Sequence, residues 1–367
     1  MNELEQARAV IDQVDREMAD LFCRRMEAVR QVSRYKRAHG LPVLDESREK
    51  AVVERNAQRV ADEDLRSYYV LFLQDMMRTS RNYQRYLQEG MRVAYSGVEG
   101  AFAHIAAGRI FPDGVRVGCS SFAQAYAAVV SGACDCAVLP IENSYAGEVG
   151  QVIDMIFSGP LFINGVYDLT IQQNLIGLPG TRPEQIREVV SHPQALGQCD
   201  EYIRRRGYKA VSCNNTAVAA QQIAQAQDPA RAAIASQETA ALYGLEVLEA
   251  NINQSSLNTT RFAVLSRVEN DQERTGADDR FIMVFTVRNE AGSLAEAIQI
   301  IGSHGFNMRV LRSRAMKGLL WQYYMFVEGE GAIHSDAGRE MLAELGTCCD
   351  RLRVLGTYRS HSELKGR

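Results

Sequence analysis

No apolar run in the 367-residue chain approaches the ~18 residues of a membrane span, and this sets aside a membrane protein. The opening Met1-Asn2-Glu3-Leu4-Glu5-Gln6 is acidic and polar where a secretory signal is basic and then apolar, so a cytoplasmic protein is expected. A formal net charge of -4 leaves no general basic surface, which argues against nucleic acid as a main partner and confines any positive field to local clusters. The cysteines number 8, but Cys134/Cys136 and Cys348-Cys349 have no second pair at zinc-site spacing, so reduced, mostly buried thiols are expected and no metal. Neither an internal repeat nor a low-complexity tract is present. The length suits two or three domains.

What is present begins with a stretch, 2–38, that contains neither Gly nor Pro and repeats apolar residues at three and four: Leu4, Ala7, Ile11, Val14, Met18, Leu21, Ala28, Val32 and Tyr35. One helix of roughly 55 Å is expected, longer than a 90-residue module needs, so it should pack along a copy of itself. Continuing the spacing of Leu4, Ile11 and Met18 places Arg25 in the seam, and Lys36, eleven residues on, lies only about 20° away around the helix. A cation in a seam needs an anion. Arg8 is too far from Arg25 on one straight helix to share a small ligand with it, but an antiparallel partner helix could bring it close. After Gly40-Leu41-Pro42, Asp45 is placed to cap a second helix with Arg48 and Glu49 in its first turn. A third helix over 65–88 shows an apolar stripe of Leu65, Tyr69, Phe72, Met76, Tyr83 and Leu87, interrupted by Ser80 and Gln84. Polar residues on a buried face require partners, which a ligand would supply. Periodicity alone also admits a dimerisation module whose cations snorkel from the seam.

Arg8, Arg25, Lys36, the Asp45/Arg48/Glu49 trio and Ser80/Gln84 on three helices resemble the all-helical chorismate mutase family, an all-α three-helix module that forms an intertwined dimer. The resemblance implies that Arg25 and the partner's Arg8 hold the carboxylates of chorismate. It further implies that Lys36 and Gln84 donate to the breaking ether oxygen, and that Asp45, Arg48, Glu49 and Ser80 orient the rest. The pericyclic rearrangement requires clamping and charge stabilisation but no nucleophile, metal or cofactor.

From Met91 onward short strands alternate with helices. Strands are expected at 91–95, 115–117, 137–139, 188–190, 209–211, 232–234 and 262–265, in open, largely parallel sheets whose length suggests two lobes. Ligands of such folds bind beyond the C-terminal ends of strands. Polar clusters follow those ends: Gly97-Val98-Glu99-Gly100, whose glycines would let amides approach an anion; Pro140-Ile141-Glu142-Asn143-Ser144; Ser191-His192-Pro193-Gln194 with Gln198; Asn214-Asn215-Thr216; and Asn258-Thr259-Thr260-Arg261-Phe262. Singly, each could be a helix cap. In order and sequence they resemble the prephenate dehydratase family, with Ala101 and Ala103 standing where that family often has hydroxyl residues. The resemblance implies a two-lobed α/β module, itself similar to periplasmic binding proteins, in which Thr260 donates to the departing hydroxyl of prephenate. Glu142 is a candidate to restore the proton. Asn143, Ser191, Gln198, Thr216 and Arg261 position substrate, Arg261 being the expected carboxylate partner and a structural salt bridge its alternative. His192 invites the role of general acid, although a turn histidine before Pro193 is more often structural. A non-enzymatic solute-binding protein is the competing reading of two lobes around a polar cleft.

The polar stretch 271–279 reads as a linker. Beyond it, strand 281–287, helix 293–303, strands 308–316 and 322–328, helix 336–345 and strand 351–358 follow the βαββαβ order and resemble a ferredoxin-like ACT domain, which implies L-phenylalanine as effector. Gly292-Ser293-Leu294 and Arg312-Ser313-Arg314-Ala315 stand where dehydratases of this kind usually have Gly-Ala-Leu and Glu-Ser-Arg-Pro. Arg312 in place of an acid should weaken recognition of an ammonium group or alter contacts between domains. The expected division is 1–90, 91–270 and 280–360, with at least a homodimer, the substrates chorismate and prephenate, and no cofactor. A mutase module kept silent for assembly remains the alternative for the helices.

Overall fold

A computed structural model describes residues 2–255, 257–269, 279–316, 322–359 and 364. The chain divides into two compact units, Met1–Arg92 and Val93–Arg367.

The first unit is helical. α1 (Glu3–Ala38) starts at a capping box in which Asn2 Oδ1 accepts from Glu5 N at 2.8 Å and the Glu5 carboxylate accepts from Asn2 N at 2.9 Å. α2 (Glu46–Ala57) is capped by Asp45, whose Oδ1 accepts from Arg48 N at 3.0 Å, as its position before the charged first turn predicts. α3 (Glu63–Glu89) ends at Gly90. Leu4, Ile11, Val14, Met18 and Leu21 of α1 are exposed, and the buried residues of that helix are Val29 and Ser33. The buried face of α3 is Leu73, Met77, Ser80 and Gln84, whereas Leu65, Phe72 and Leu87 of the expected stripe are exposed. Apolar residues surround much of this helix, so periodicity admitted more than one face. The face carrying Ser80 and Gln84 meets α1, with Gln88 Nε2 donating to Ser33 O at 3.3 Å.

The second unit opens with β1 (Arg92–Ser96), α4 (Phe102–Ile110), β2 (Val115–Cys119), α5 (Phe122–Val130), β3 (Cys136–Asn143), β4 (Gly147–Glu148), α6 (Gly150–Ser158) and β5 (Phe162–Thr170). The chain then crosses to a second lobe. That lobe contains β6 (Asn174–Gly177), β7 (Glu188–Ser191), α7 (Pro193–Gln198), α8 (Asp200–Arg206), β8 (Lys209–Ser212), α9 (Thr216–Ala226), β9 (Arg231–Ala235), α10 (Gln237–Leu242) and β10 (Glu246–Glu249). β11 (Thr259–Ser266) returns to the first sheet. The order of the 6-stranded sheet is β2-β1-β3-β11-β5 with β4 on β3, and that of the 5-stranded sheet is β10-β6-β9-β7-β8.

The sheets are mixed, which corrects the expectation of largely parallel ones. β1 pairs with β3, and β7 with β8 and β9, in parallel; β11 runs antiparallel to β3 and β5, and β6 antiparallel to β9 and β10. The βα units make the parallel pairs. The strand entered after each crossing between lobes, β6 and then β11, runs opposite to the βα strands of its sheet, and β5, β6 and β10 had no clear signal in the sequence.

The last elements are β12 (Asp279–Val287), α11 (Ser293–Ser303), β13 (Asn307–Ala315), β14 (Tyr323–Glu330), α12 (Asp336–Cys348) and β15 (Cys349–Arg359), giving the βαββαβ order in a 4-stranded sheet, β13-β14-β12-β15. Alternation along β12 sends Phe281, Met283 and Phe285 toward α11 and α12, while Ile282 and Val284 join the core of the first lobe with Leu139, Ile163 and Ala263. Gly356 permits this approach: a Cβ there would stand 2.1 Å from Ile163 O. Of the expected linker, 271–278 lie outside the described residues, and Asp279 is a buried strand residue.

Candidate active sites

In the helical unit a cavity of about 320 Å³ is lined by Arg25, Lys36, Asp45, Arg48, Glu49, Ser80 and Gln84, drawn from all three helices and the turn before α2. Arg55 and Arg81 also line it, and the sequence had not singled them out. The Arg25 guanidinium donates to Ser80 Oγ, which donates in turn to Met76 O at 2.7 Å. Burial lowers the Arg25 pKa from its ordinary value. Lys36 Nζ donates to Val43 O at 2.7 Å, and Arg81 is paired with Glu49. The Arg48 amide, then the Ser47 hydroxyl, hold the Asp45 carboxyl below its usual range. Among the described residues, the buried Oε1 of Gln84 has no hydrogen-bond partner. Arg8 is exposed on α1, about 25 Å along the helix from Arg25, and does not line this cavity.

In the α/β unit a cavity of about 260 Å³ is lined by Asn143, Gln198, Thr216 and Thr260, together with Ser96, Gln173, His192, Gln194, Asn214 and Asn215. Its centre is a fixed pair. Asn143 Nδ2 donates to Thr260 Oγ1 and to Asn258 Oδ1, both at 2.9 Å, while Asn143 Oδ1 accepts from Tyr145 N at 3.0 Å and Ala146 N at 2.9 Å. These backbone donors settle which way the amide points. Thr260 therefore receives a hydrogen bond on one lone pair and keeps its own O–H for a ligand.

Three expected site residues lie elsewhere. Ser191 is fully buried and donates to Ile234 O at 2.6 Å. Glu142 and Arg261 are paired on the opposite face of their strands. Thr260 and Phe262 face the cavity, so Arg261 between them cannot. A bulge at Ile141 shifts the register so that Pro140 and Asn143 share the cavity face while Glu142 turns away. Arg261 meets Glu328 at 2.8 and 3.1 Å and the Tyr358 hydroxyl at 3.1 Å, and Glu142 is held by Arg312 and lies 3.6 Å from Arg261. The salt-bridge alternative for Arg261 is the one the structure adopts, and Glu142 cannot relay a proton to Thr260. Pro140 to Asn143 also belong to β3 rather than following it.

The glycine loop is organised differently from expectation as well. Gly97 N donates to Cys119 O at the end of β2 at 2.8 Å and Gly100 N to His104 Nδ1 on α4 at 3.1 Å, so both amides are already occupied. Ala101, Phe102 and Ala103 reach the cavity instead, at the start of α4, which has no side-chain cap. The first turns of α5, α7 and α9 also border it, at Phe122, at Gln194 and at Thr216. His192 caps α7, its Nδ1 accepting from Gln194 N at 3.2 Å, and burial lowers its pKa. No Arg, Lys, Asp or Glu is among the described residues lining this cavity. Partial positive charge at helix starts is what it offers an anion.

In the C-terminal sheet a third cavity, about 610 Å³, is lined by Arg288, Asn289, Glu290, Leu294, Tyr323 and Asp350 among others. Leu294 thus reaches it, next to Gly292, which opens α11 at φ 93°, and Ser293. Arg312, Ser313 and Arg314 do not line it. Arg312 binds Glu142 and lies 3.6 Å from Glu148; Arg314 binds Glu148 and reaches Asp154 at 3.0 Å. Both arginines therefore meet carboxylates of β3, β4 and α6 in the first lobe rather than this cavity.

Residues 93–270 match the prephenate dehydratase family and residues 7–85 the chorismate mutase type II family. The chain is 30% identical to the bifunctional chorismate mutase/prephenate dehydratase of Escherichia coli (strain K12), over 98% of this chain and 97% of that one. It is likewise 30% identical to the enzyme of the same name from Enterobacter agglomerans, over 98% and 97%. Among solved structures, the prephenate dehydratase of Arthrobacter aurescens in complex with L-Phe superposes with a TM-score of 0.68 at 27% identity, covering 74% of this chain and 90% of that one.

Proposed function

The chain belongs to the bifunctional chorismate mutase/prephenate dehydratase family, and we propose that its helical cavity and its α/β cavity carry the two reactions through the residues they bring together. The protein rearranges chorismate to prephenate, then decarboxylates and dehydrates prephenate to phenylpyruvate on the route to L-phenylalanine.

In the helical cavity Arg25 and Arg48 take the carboxylates of chorismate, and Lys36 and Gln84 donate to the ether oxygen as charge develops there. Asp45, Glu49 and Ser80 orient these groups. The single observation that carries this reading is the convergence of Arg25, Lys36, Arg48, Ser80 and Gln84 from three helices onto one cavity. In the α/β cavity Thr260, held by Asn143, donates to the departing hydroxyl. Gln198, Thr216 and the helix starts receive the acidic groups. The C–C bond to the ring carboxylate breaks, its electron pair completes the aromatic ring, and the C–O bond to the hydroxyl breaks as that oxygen, held by the Thr260 O–H, takes one proton supplied by solvent water and leaves as water. Glu142 and Arg261 hold the strands that present Asn143 and Thr260.

Three further readings extend this one. The division 1–90, 91–270 and 280–360 follows the change from helical to α/β pattern and the βαββαβ order. The last segment is an ACT domain sensing L-phenylalanine, supported by that order, by the cavity at Leu294 and by the L-Phe complex of the Arthrobacter aurescens relative. The working form is at least a homodimer in which the exposed apolar stripe of α1 is covered by a second copy that supplies Arg8. No described helix is long and apolar enough to cross a membrane.

The test is to incubate the purified protein with chorismate alone and resolve prephenate and phenylpyruvate over time, with and without L-phenylalanine. Phenylpyruvate should accumulate, and more slowly with the effector. If chorismate persists while supplied prephenate is consumed, the helices serve assembly and their site assignment fails.

A further inference from the structure

The turn that carries Asn143 closes over a pair of like charges. β3 and β4 form a short hairpin in which Asn143 lies opposite Gly147 and Glu142 opposite Glu148. Side chains directly opposite on an antiparallel pair share a face, with Cβ atoms about 5 Å apart, and two carboxylates so placed repel. Asn143 faces the dehydratase cavity, so Glu142 and Glu148 look the other way, toward the C-terminal sheet. β4 is 2 residues long, and β3 enters the hairpin through the bulge at Ile141. Ser144 N is anchored on Thr259 O at 2.8 Å, which leaves Tyr145 to Glu148 to be held by the hairpin itself.

A cation from another element stands between the two carboxylates. Alternation along β13 turns Val310, Arg312 and Arg314 toward the first lobe, and Val310 packs on its core. Arg312 binds Glu142 on β3 and lies 3.6 Å from Glu148 on β4, so it reaches both strands of the hairpin. Arg314 binds Glu148 and is braced by Asp154 at 3.0 Å, and Glu142 has a longer contact with Arg261 at 3.6 Å. None of the Arg312, Arg314, Glu142 and Glu148 side chains is more than 29% exposed, so solvent screens these charges only in part.

The hairpin sets the direction of the Asn143 amide. Its Oδ1 accepts from Tyr145 N and Ala146 N inside the turn, and this points Nδ2 at Thr260 Oγ1. A turn that spreads under repulsion takes those donors away, and Thr260 then loses the bond that directs its own O–H. Resting on the reading of this cavity as the dehydratase site, we propose that Arg312 is a positioning residue for the dehydration: by bridging Glu142 and Glu148 from the C-terminal sheet it keeps the β3–β4 turn closed and Asn143 aimed at Thr260. Arg312 touches no substrate. Its removal disturbs the geometry of the reacting groups rather than those that receive the acidic groups, so the effect belongs in kcat more than in KM.

The experiment compares the full-length protein with Arg312→Met, with Glu148→Gln and with the variant carrying both, following kcat and KM on prephenate, the chorismate rearrangement rate and circular dichroism. Arg312→Met keeps an aliphatic stem and removes the charge, and we expect kcat to fall about tenfold with KM within about twofold and the rearrangement unchanged. Glu148→Gln alone should stay within about twofold of the parent, because Arg312 keeps Glu142 and Arg314 keeps Asp154. With both changes the repulsion is gone, and kcat should return to within about threefold of the parent. An unaltered kcat in Arg312→Met overturns the proposal. A double variant no faster than Arg312→Met also overturns it, because Arg312 would then only dock one sheet on the other, and so does a loss carried by KM. Should Arg312→Met unfold, the double variant decides: recovered fold and turnover uphold the proposal, and continued loss overturns it. A parent protein that does not consume prephenate defeats the dehydratase reading itself, whereas an active parent with an equally active Arg312→Met defeats Arg312 alone.

Discussion

On the proposed assignment the helical cavity and the α/β cavity receive closely related dianions, since the product of one is the substrate of the other, yet their walls are opposite in kind. Arg25, Lys36, Arg48, Arg55 and Arg81 stand around the first, and no charged side chain is among the described residues lining the second. The difference follows from where charge goes. In the rearrangement both carboxylates survive and negative charge builds on an ether oxygen, so full cations stabilise the bound and the reacting states, the second being the role proposed for Lys36. In the dehydration one carboxylate loses its charge as carbon dioxide. A cation on that group would hold the ground state more tightly than the transition state and slow the step. Neutral amides, hydroxyls and helix starts bind it without that penalty.

The largest effect that tests this contrast is expected from Thr260→Ala, which removes the donor to the departing hydroxyl. Prephenate turnover should fall about 10³-fold with chorismate rearrangement intact, both followed on one preparation; a variant as active as the parent would take Thr260 out of the mechanism. Lys36→Ala should do the reverse, costing the rearrangement on the order of 3 kcal/mol, about a hundredfold, with the helices still folded by circular dichroism. Rearrangement at near-parent rates would end the assignment of Lys36.

The ion pairs that replaced expected site residues predict a change in stability. Glu328 is buried, which by itself would raise its pKa, but the hydrogen bond and charge of Arg261, with Tyr358 and Arg280, outweigh burial and leave it below the ordinary 4.5. Its contribution is therefore present above that value and is lost as pH falls through the lowered one. Glu328→Gln removes the nearest carboxylate of Arg261, leaving it Glu142 at 3.6 Å and Asp168 at 3.5 Å, and should reduce the stability of the Val93–Arg367 unit by about 2 kcal/mol at neutral pH in denaturant titrations. The loss should shrink on acidification, and a constant loss down to pH 3 would refute the assignment. The smallest expected effect is that of salt. Raising ionic strength from about 0.01 to 0.15 M should increase KM for chorismate severalfold and KM for prephenate less, because screening acts on exposed charges more than on buried dipoles. Equal responses would remove the electrostatic contrast.

The helical site was legible because it is local. Lys36 and Arg25 share a face of one uninterrupted helix, Asp45 announces α2 by capping it, and Ser80 and Gln84 stand out as polar breaks on the face of α3 that packs against α1. Arg8 had no comparable placement, since its expected ligand contact needs a second chain. In the α/β unit the polar clusters marked strand ends and helix starts, but which members of each cluster face the cavity depended on pairing. One inserted residue at Ile141 sends Glu142 to one side and Asn143 to the other, and Thr260 and Arg261 part by simple alternation. Gln173 carried no signal, because the strands on either side of it were themselves unread.

Residue order by itself determined the helices, their caps, the βα alternation and the polar clusters, because each rests on interactions spanning a few residues: periodicity, capping and turn chemistry. Tertiary structure alone decided the mixed sheets, the docking of the last sheet on the first lobe and the exchange of Arg261 and Glu142 from substrate contacts to ion pairs with Glu328 and Arg312. Those outcomes depend on strand register and on partners more than 60 residues away, where a shift of one position reverses the face that every following side chain presents.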